Sequence, residues 1–237
     1  MDPRRHPVPG SPLTGCGPYG DPVTDWGQLY RDNVTALTAL ASDLTEEHLS
    51  THVPATPAWT VADVYAHLAG GPADALSGRM DGAPGPEWTA RHVGERCRLP
   101  LAVLVEEIRA QQDAVADSVA DNPSPALVWD ITVHHTDLHE ALDLGRPPEQ
   151  LWRPVLGSAA PRLVGRAGVT VRCDGHVWGD PEVEAAAEVS PYELYRALFS
   201  RRSRRQMQAW GQPGLDVGQL DALCVFGPRE DDQPQPA

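Results

Sequence analysis

Trp129-Asp130-Ile131-Thr132-Val133-His134-His135-Thr136-Asp137-Leu138-His139 is the stretch on which the reading of this chain turns. On an α-helix each residue advances about 100° around the axis. With Asp130 at the origin, His134 falls at about 40°, Leu127 at about 60°, Leu138 at about 80°, Ile131 at about 100° and Leu142 at about 120°. The apolar stripe therefore carries a carboxylate and, one turn on, an imidazole. A carboxylate turned toward a core is costly unless it is paired or bound to a cation. Asp130 and His134 thus indicate either a shared metal ion or an intrahelical acid–imidazole contact. Asp137, at about −20°, is placed to orient a ligand from behind. His135 and His139, at about 140° and 180°, fall at the edge of the stripe or beyond it and are expected to be solvated.

The preceding hundred residues supply the partners for this helix. After Thr24 or Asp25, either of which can cap, Trp26, Tyr30, Val34, Leu37, Ala41 and Leu44 recur at three- and four-residue steps. A second helix opens at Thr60, three residues ahead of Asp63, in a pattern close to a capping box. It sets Val61, Val64, His67 and Leu68 on one stripe and is expected to end near Gly70-Gly71-Pro72. A short helix around Ala73–Met80 and a Gly/Pro loop are expected next. Pro100 begins a long helix with Leu101, Leu104, Ile108, Val115 and Val119 on one side, which Asn122-Pro123-Ser124-Pro125 breaks. The fourth helix runs from about Ala126 to Leu144 and stops at Gly145. Four helices with short to moderate connections predict an antiparallel four-helix bundle. His67 lies on the apolar side of the second helix, so His67, Asp130 and His134 can converge from two facing helices. Two imidazoles and a carboxylate with open positions describe a catalytic zinc site, or one for another divalent transition metal. The competing reading makes each histidine a hydrogen-bonded core residue. His48 and His52 repeat the four-residue spacing, but Pro54 and Pro57 place them in a loop.

Beyond Arg146-Pro147-Pro148 the pattern changes. A helix at 149–165 is followed by Val169-Thr170-Val171-Arg172-Cys173, which alternates with period two, then by Asp174-Gly175 and His176-Val177-Trp178. Asp-Gly between two such runs predicts a two-residue hairpin. A third strand is expected near Val183–Val189, and a helix capped by Ser190, with Pro191 first and Glu193 third, is expected to reach about Trp210. The fold class is mainly α with a small α+β C-terminal unit. Residues 1–23 and 229–237 are expected to be disordered, the first Pro/Gly-rich and the second acidic, leaving 24–146 as the bundle and 147–228 as the small mixed domain.

Composition narrows the function classes. The 237 residues hold 33 acids against 19 bases, all arginine, for a formal charge of −14. Phosphate backbones repel such a chain, so nucleic acid is excluded as a partner. No apolar run approaches the roughly 20 residues of a membrane helix. Met1-Asp2-Pro3-Arg4-Arg5 leads into a Pro/Gly stretch rather than an apolar one, so no signal peptide is read and a cytoplasmic protein is expected. Cys16, Cys97, Cys173 and Cys224 form no C-x-x-C and are expected to be free thiols.

Thr56-Pro57-Ala58-Trp59-Thr60-Val61-Ala62-Asp63-Val64-Tyr65-Ala66-His67-Leu68-Ala69-Gly70 resembles the metal-binding stretch of the mycothiol-dependent maleylpyruvate isomerase family. Asp130 through Leu138 is similar to that family's second metal motif, and Pro191–Ser203 and Val225-Phe226-Gly227-Pro228 are similar to its C-terminal segments. The resemblance covers about residues 24–228. It implies a DinB-like bundle with a zinc-type site followed by a smaller domain. The metal ligands it implies are His67, Asp130 and His134, with Asp130 where the characterised isomerase has Glu. It also implies a catalytic arginine in a Gly-Arg pair, matched here by Ser200-Arg201, with Arg202 one step away. The expected cofactors are a divalent metal, Zn2+ above others, and mycothiol as co-substrate. The expected partners are that small-molecule thiol and an electrophile, transferred to or isomerised cis–trans. The alternatives are a metal-dependent hydrolase and a non-catalytic metal- or ligand-binding relative of the same fold.

Overall fold

The structure is a computed structural model and describes residues 24–122, 125–182, 184, 186–211 and 214–236. The expected N-terminal tail, 1–23, lies outside the described residues. Helix α1 (Trp26–Ser42) is capped by Asp25, whose carboxylate accepts from the Gln28 N–H. The short α2 (Glu46–Ser50) carries His48 as part of a capping box, where a loop was expected. Helix α3 (Val61–Ser77) opens with the reciprocal hydrogen bonds of Thr60 and Asp63. Then come α4 (Pro86–Arg96), α5 (Leu101–Val119) and α6 (Ala126–Ala141). Helices α1 and α3 each pack against both α5 and α6, which closes the expected four-helix bundle.

Two local readings of the bundle need correction. Gly70-Gly71-Pro72 does not end α3, which runs on to Ser77. Pro72 removes one backbone donor, but Gly70, Gly71, Pro72 and Asp74 are all buried and α4 packs on that end of the helix. Tertiary burial outweighs the local breaker. Helix α4 itself occupies what read as a Gly/Pro loop, with Pro86 at its first helical position.

The second correction concerns α6. Every residue from 131 to 138 is buried, because one side of α6 faces the bundle and the other faces the C-terminal unit. His135 is therefore not solvated: its Nδ1 lies 3.1 Å from Asn33 Oδ1, and burial pushes its pKa down to about 3. An apolar stripe read from sequence identifies one packed face, and this helix has two.

In the C-terminal unit α7 (Glu149–Ala167) packs against a three-stranded sheet and two further helices. Strands β1 (Val171–Cys173) and β2 (His176–Trp178) pair antiparallel with Cys173 opposite His176, and Asp174 and Gly175 turn between them with φ of 50° and 75°. Positive φ at both turn positions is what the Asp-Gly pair predicts. Strand β3 (Ala187–Glu188) adds parallel to β1, giving the order β2-β1-β3. Helices α8 (Pro191–Leu198), α9 (Arg204–Gln208) and α10 (Val217–Leu223) follow.

The helix expected to reach Trp210 breaks after α8. Ser200 has φ 63°, its N–H bonds the Ala197 carbonyl, and the Arg201 N–H bonds the Arg196 carbonyl, each at 2.8 Å. This is a Schellman stop in which serine holds the position glycine favours. The Ser200 hydroxyl oxygen accepts from the Phe226 N–H at 2.9 Å, which offsets part of the strain. The C-terminal segment also differs from expectation. Arg229 pairs its backbone with Arg202 and Arg204, Gln206 donates to the Gln233 carbonyl, and Gln233 is buried. A segment poor in apolar residues is placed here by backbone and amide hydrogen bonds rather than by hydrophobic burial.

A buried charge network joins α6 to this unit. The Glu140 carboxylate accepts from Arg196 at 2.7 and 3.1 Å, from Arg202 at 3.1 Å and from the Tyr192 hydroxyl at 3.0 Å. Arg202 also donates to Glu193 at 2.7 and 2.8 Å. Arg196 and Arg202 are both wholly inaccessible. Glu140→Ala leaves two buried guanidiniums short of a counter-charge, a change that costs about 3–5 kcal/mol. Urea denaturation of the variant is expected to show that loss, and a midpoint equal to wild type would contradict the network's role.

Candidate metal centre

His67 projects from α3, and Asp130 and His134 project from α6, into the space between these two bundle helices. His67 Nε2 lies 3.2 and 3.4 Å from the two Asp130 oxygens, and His134 Nε2 lies 3.6 Å from Asp130 Oδ1. The two imidazole rings stand nearly perpendicular, 73°, with centroids 5.0 Å apart. One donor atom from each of the three residues lies within 4.8 Å of the other two. The three residues singled out from sequence are thus brought together. Asp130 keeps this proximity although it is one methylene shorter than the glutamate the resemblance leads one to expect.

The approach to the cluster is one-sided. The His67 and His134 side chains are 2 % and 8 % accessible, while Asp130 retains 36 %. Burial would raise the Asp130 pKa, but the neighbouring His67 and His134 rings and Arg201 hold it at about 2. Trp59 forms a half-buried wall, its ring 4.9 Å from that of His67 and 5.8 Å from that of His134. The loop leading to Trp59 is held from the far end of the chain, where Arg229 donates to the carbonyls of Ala55 at 2.6 Å and Pro54 at 3.3 Å.

Behind His134 stands Asp137, wholly buried, with Oδ2 3.0 Å from His134 Nδ1. Burial would raise the Asp137 pKa, yet Arg201 and Arg196 hold it well below the usual carboxylate range. The contact is an electrostatic pairing without the alignment of a hydrogen bond; a proton on Nδ1 would leave the Nε2 lone pair facing Asp130. Arg201 donates to Asp137 through Nε and one terminal nitrogen, the latter at 2.8 Å, and through the other to the Phe199 carbonyl at 2.8 Å. The break at Ser200 is what turns Arg201 back toward α6. Arg202, the neighbouring candidate, points the other way, into Glu140 and Glu193.

Sequence reasoning missed the support behind His67. His67 Nδ1 lies 3.1 Å from His92 Nδ1, and His92 Nε2 lies 3.1 Å from Asp74 Oδ2. Both supporting residues are buried. Asp74, seven residues after His67, was a legible signal once α3 was known to continue. His92 was not, because its helix read as a loop.

The donor set suits a divalent transition metal. Two imidazole nitrogens and a carboxylate face one another, the imidazoles buried and the carboxylate partly accessible. A proton on an imidazole Nε2 can hold the ring against the Asp130 carboxylate, and a divalent cation can take the place of such protons with the nitrogens as ligands. His67, Asp130 and His134 are the residues that would hold one.

Among the described residues no helix is long and apolar enough to cross a membrane. No curated protein sequence matches the chain. Two solved structures align over 81 % of this chain and 90 % of their own. One is the mycothiol-dependent maleylpyruvate isomerase, at 15 % identity and a TM-score of 0.49. The other is a mutant of it, at 14 % and 0.47. The family model described as the mycothiol maleylpyruvate isomerase N-terminal domain matches residues 30–173, more than half of the chain, and takes in α3, α6 and all three candidate ligands. The chain belongs to the mycothiol maleylpyruvate isomerase N-terminal domain family.

Proposed function

We propose that this protein is a metal-dependent enzyme that activates a small-molecule thiol, mycothiol, for attack on an electrophilic substrate. The observation that carries the reading is the convergence of His67, Asp130 and His134 at the one accessible side of a buried site. Family membership supports the choice of thiol.

A free thiol has a pKa near about 8.5, and a divalent cation, Zn2+ in this reading, favours the thiolate at a position the protein leaves open. The chain's own residues do the rest. His67 and His134 present nitrogen lone pairs, Asp130 supplies the compensating negative charge, and Asp137 keeps the His134 ring in register. Trp59 closes one wall and limits water at the reacting sulfur. Arg201 uses three of its five N–H donors on Asp137 and Phe199. The remaining two are available to hold a carboxylate of the substrate. The thiol sulfur adds to the electrophilic carbon. For an activated alkene, addition makes the double bond single; rotation and expulsion of the same thiol then give the trans isomer. Where a proton from solvent quenches the carbanion that addition leaves, or a leaving group departs with the displaced electron pair, the outcome is conjugation.

Metal analysis is the first test. The purified protein is expected to carry, or to take up, about one equivalent of Zn2+. His67→Ala and His134→Ala are expected to lose it while keeping the helical circular-dichroism spectrum; wild-type protein that neither carries nor takes up metal would sink the reading. A thiol-transfer assay with a panel of carboxylated cis-alkenes is the second. Activity is expected only with mycothiol present. Arg201→Gln is expected to raise KM for the anionic substrate about tenfold or more, the loss of about 1.4 kcal/mol or more expected for a charge-assisted contact. Turnover without any thiol would point to hydrolysis instead.

A further inference from the structure

The support behind the two imidazole ligands is unequal. His134 meets a carboxylate directly, whereas His67 meets a second imidazole, His92, which in turn meets the carboxylate Asp74. Asp74 Oδ2, the oxygen His92 meets, also accepts from Arg91 at 2.6 Å, and Oδ1 lies 3.4 Å from Arg79 Nε. An ionised carboxylate only accepts hydrogen bonds, so the His92 proton lies on Nε2, against Asp74. The Nδ1 atom of a neutral His92 is then a bare acceptor. Among the described residues its partner at hydrogen-bond distance is His67 Nδ1, which must then donate. His67 Nε2 is turned toward Asp130 at 3.2 Å; with a cation in place of a proton there, a neutral His67 carries its one proton on Nδ1 and offers the Nε2 lone pair to the metal.

The packing around His92 is built for this approach. A Cβ added at Gly70 would lie 2.6 Å from the Cβ and 2.8 Å from the Cγ of His92, so α4 reaches this depth only because α3 has glycine there. The Trp88 ring holds the other side of His92, with centroids 4.2 Å apart.

We propose that His92 and Asp74 are positioning residues for the metal centre: they hold the Nδ1 proton of His67 and so aim its Nε2 lone pair at the cation. The assignment rests on the metal reading above and extends it to a relay of four groups, His67, His92, Asp74 and Arg91, that runs from the site to the part-exposed Arg91 at the middle of α4. Partners of this kind raise ligand basicity, and their loss typically weakens metal binding about 10- to 100-fold.

The test is competitive Zn2+ titration of metal-stripped full-length protein, with Co2+ visible absorption as a second readout. His92→Phe keeps a ring against Trp88 but removes both nitrogens, and is expected to raise the Zn2+ Kd about 10- to 100-fold and to alter the Co2+ spectrum. His92→Gln, which again offers an acceptor to His67, is expected to recover most of the affinity. Asp74→Asn is expected to weaken binding several-fold and covers the case in which the phenylalanine variant does not fold. A purely structural role predicts lower thermal stability with an unchanged Kd and Co2+ spectrum. Folded His92→Phe and Asp74→Asn variants that bind Zn2+ within threefold of wild type therefore overturn the relay while leaving the metal reading intact. Wild-type protein that binds no Zn2+ overturns the metal reading, and the relay with it.

Discussion

Two carboxylates on α6, Asp137 and Glu140, face three arginines from a short stretch of the C-terminal unit, Arg196, Arg201 and Arg202, and the rest of the structure depends on that meeting. Glu193, half-buried at the edge, completes the set, so three negative and three positive groups neutralise one another largely out of contact with water. Burying so many charges is expensive, and an apolar interface of equal area would hold the two parts together as well. What the ions add is direction. Arginine forks and carboxylates pair in few geometries, and these pairings set both the depth at which α8 sits on α6 and the point at which the chain turns back. Asp137 belongs to both systems: one side anchors Arg196 and Arg201, and the other touches His134.

The metal centre follows from the same logic. Its three donors stand on helices packed at most of their positions by other buried side chains, so each donor has a fixed backing and little freedom to swing. The backing is itself polar and buried, by Asp137 on one side and by His92 and Asp74 on the other. Rigid ligands lose less freedom when they gather around a cation. The accessible third of Asp130 marks where the cluster is open to solvent.

Much of this was legible in the residues. The spacing of Asp130 and His134 on an otherwise apolar stripe signalled the centre, and the Thr60–Asp63 cap set the register that put His67 opposite. Asp174-Gly175 announced the hairpin. What was not legible arose from contacts distant in sequence. Pro72 looked like a terminator because nothing local reveals α4 lying over it. His135 looked solvated because a helical wheel assumes one buried face, and α6 has two. The stop at Ser200 was hidden because serine rarely takes a left-handed conformation, and only the arginine ladder and the Phe226 amide make it acceptable there. The segment after Arg229 carried no apolar signal, since its anchors are backbone and amide groups.

The hold of Arg229 on the carbonyls of Pro54 and Ala55 links positions 174 and 175 residues apart. It acts as a non-covalent clasp between the last strand-like stretch of the molecule and the loop that delivers Trp59. Trimming the chain before that arginine would open the clasp, so the aromatic wall of the pocket depends on an extremity that no helical pattern would have marked as part of it.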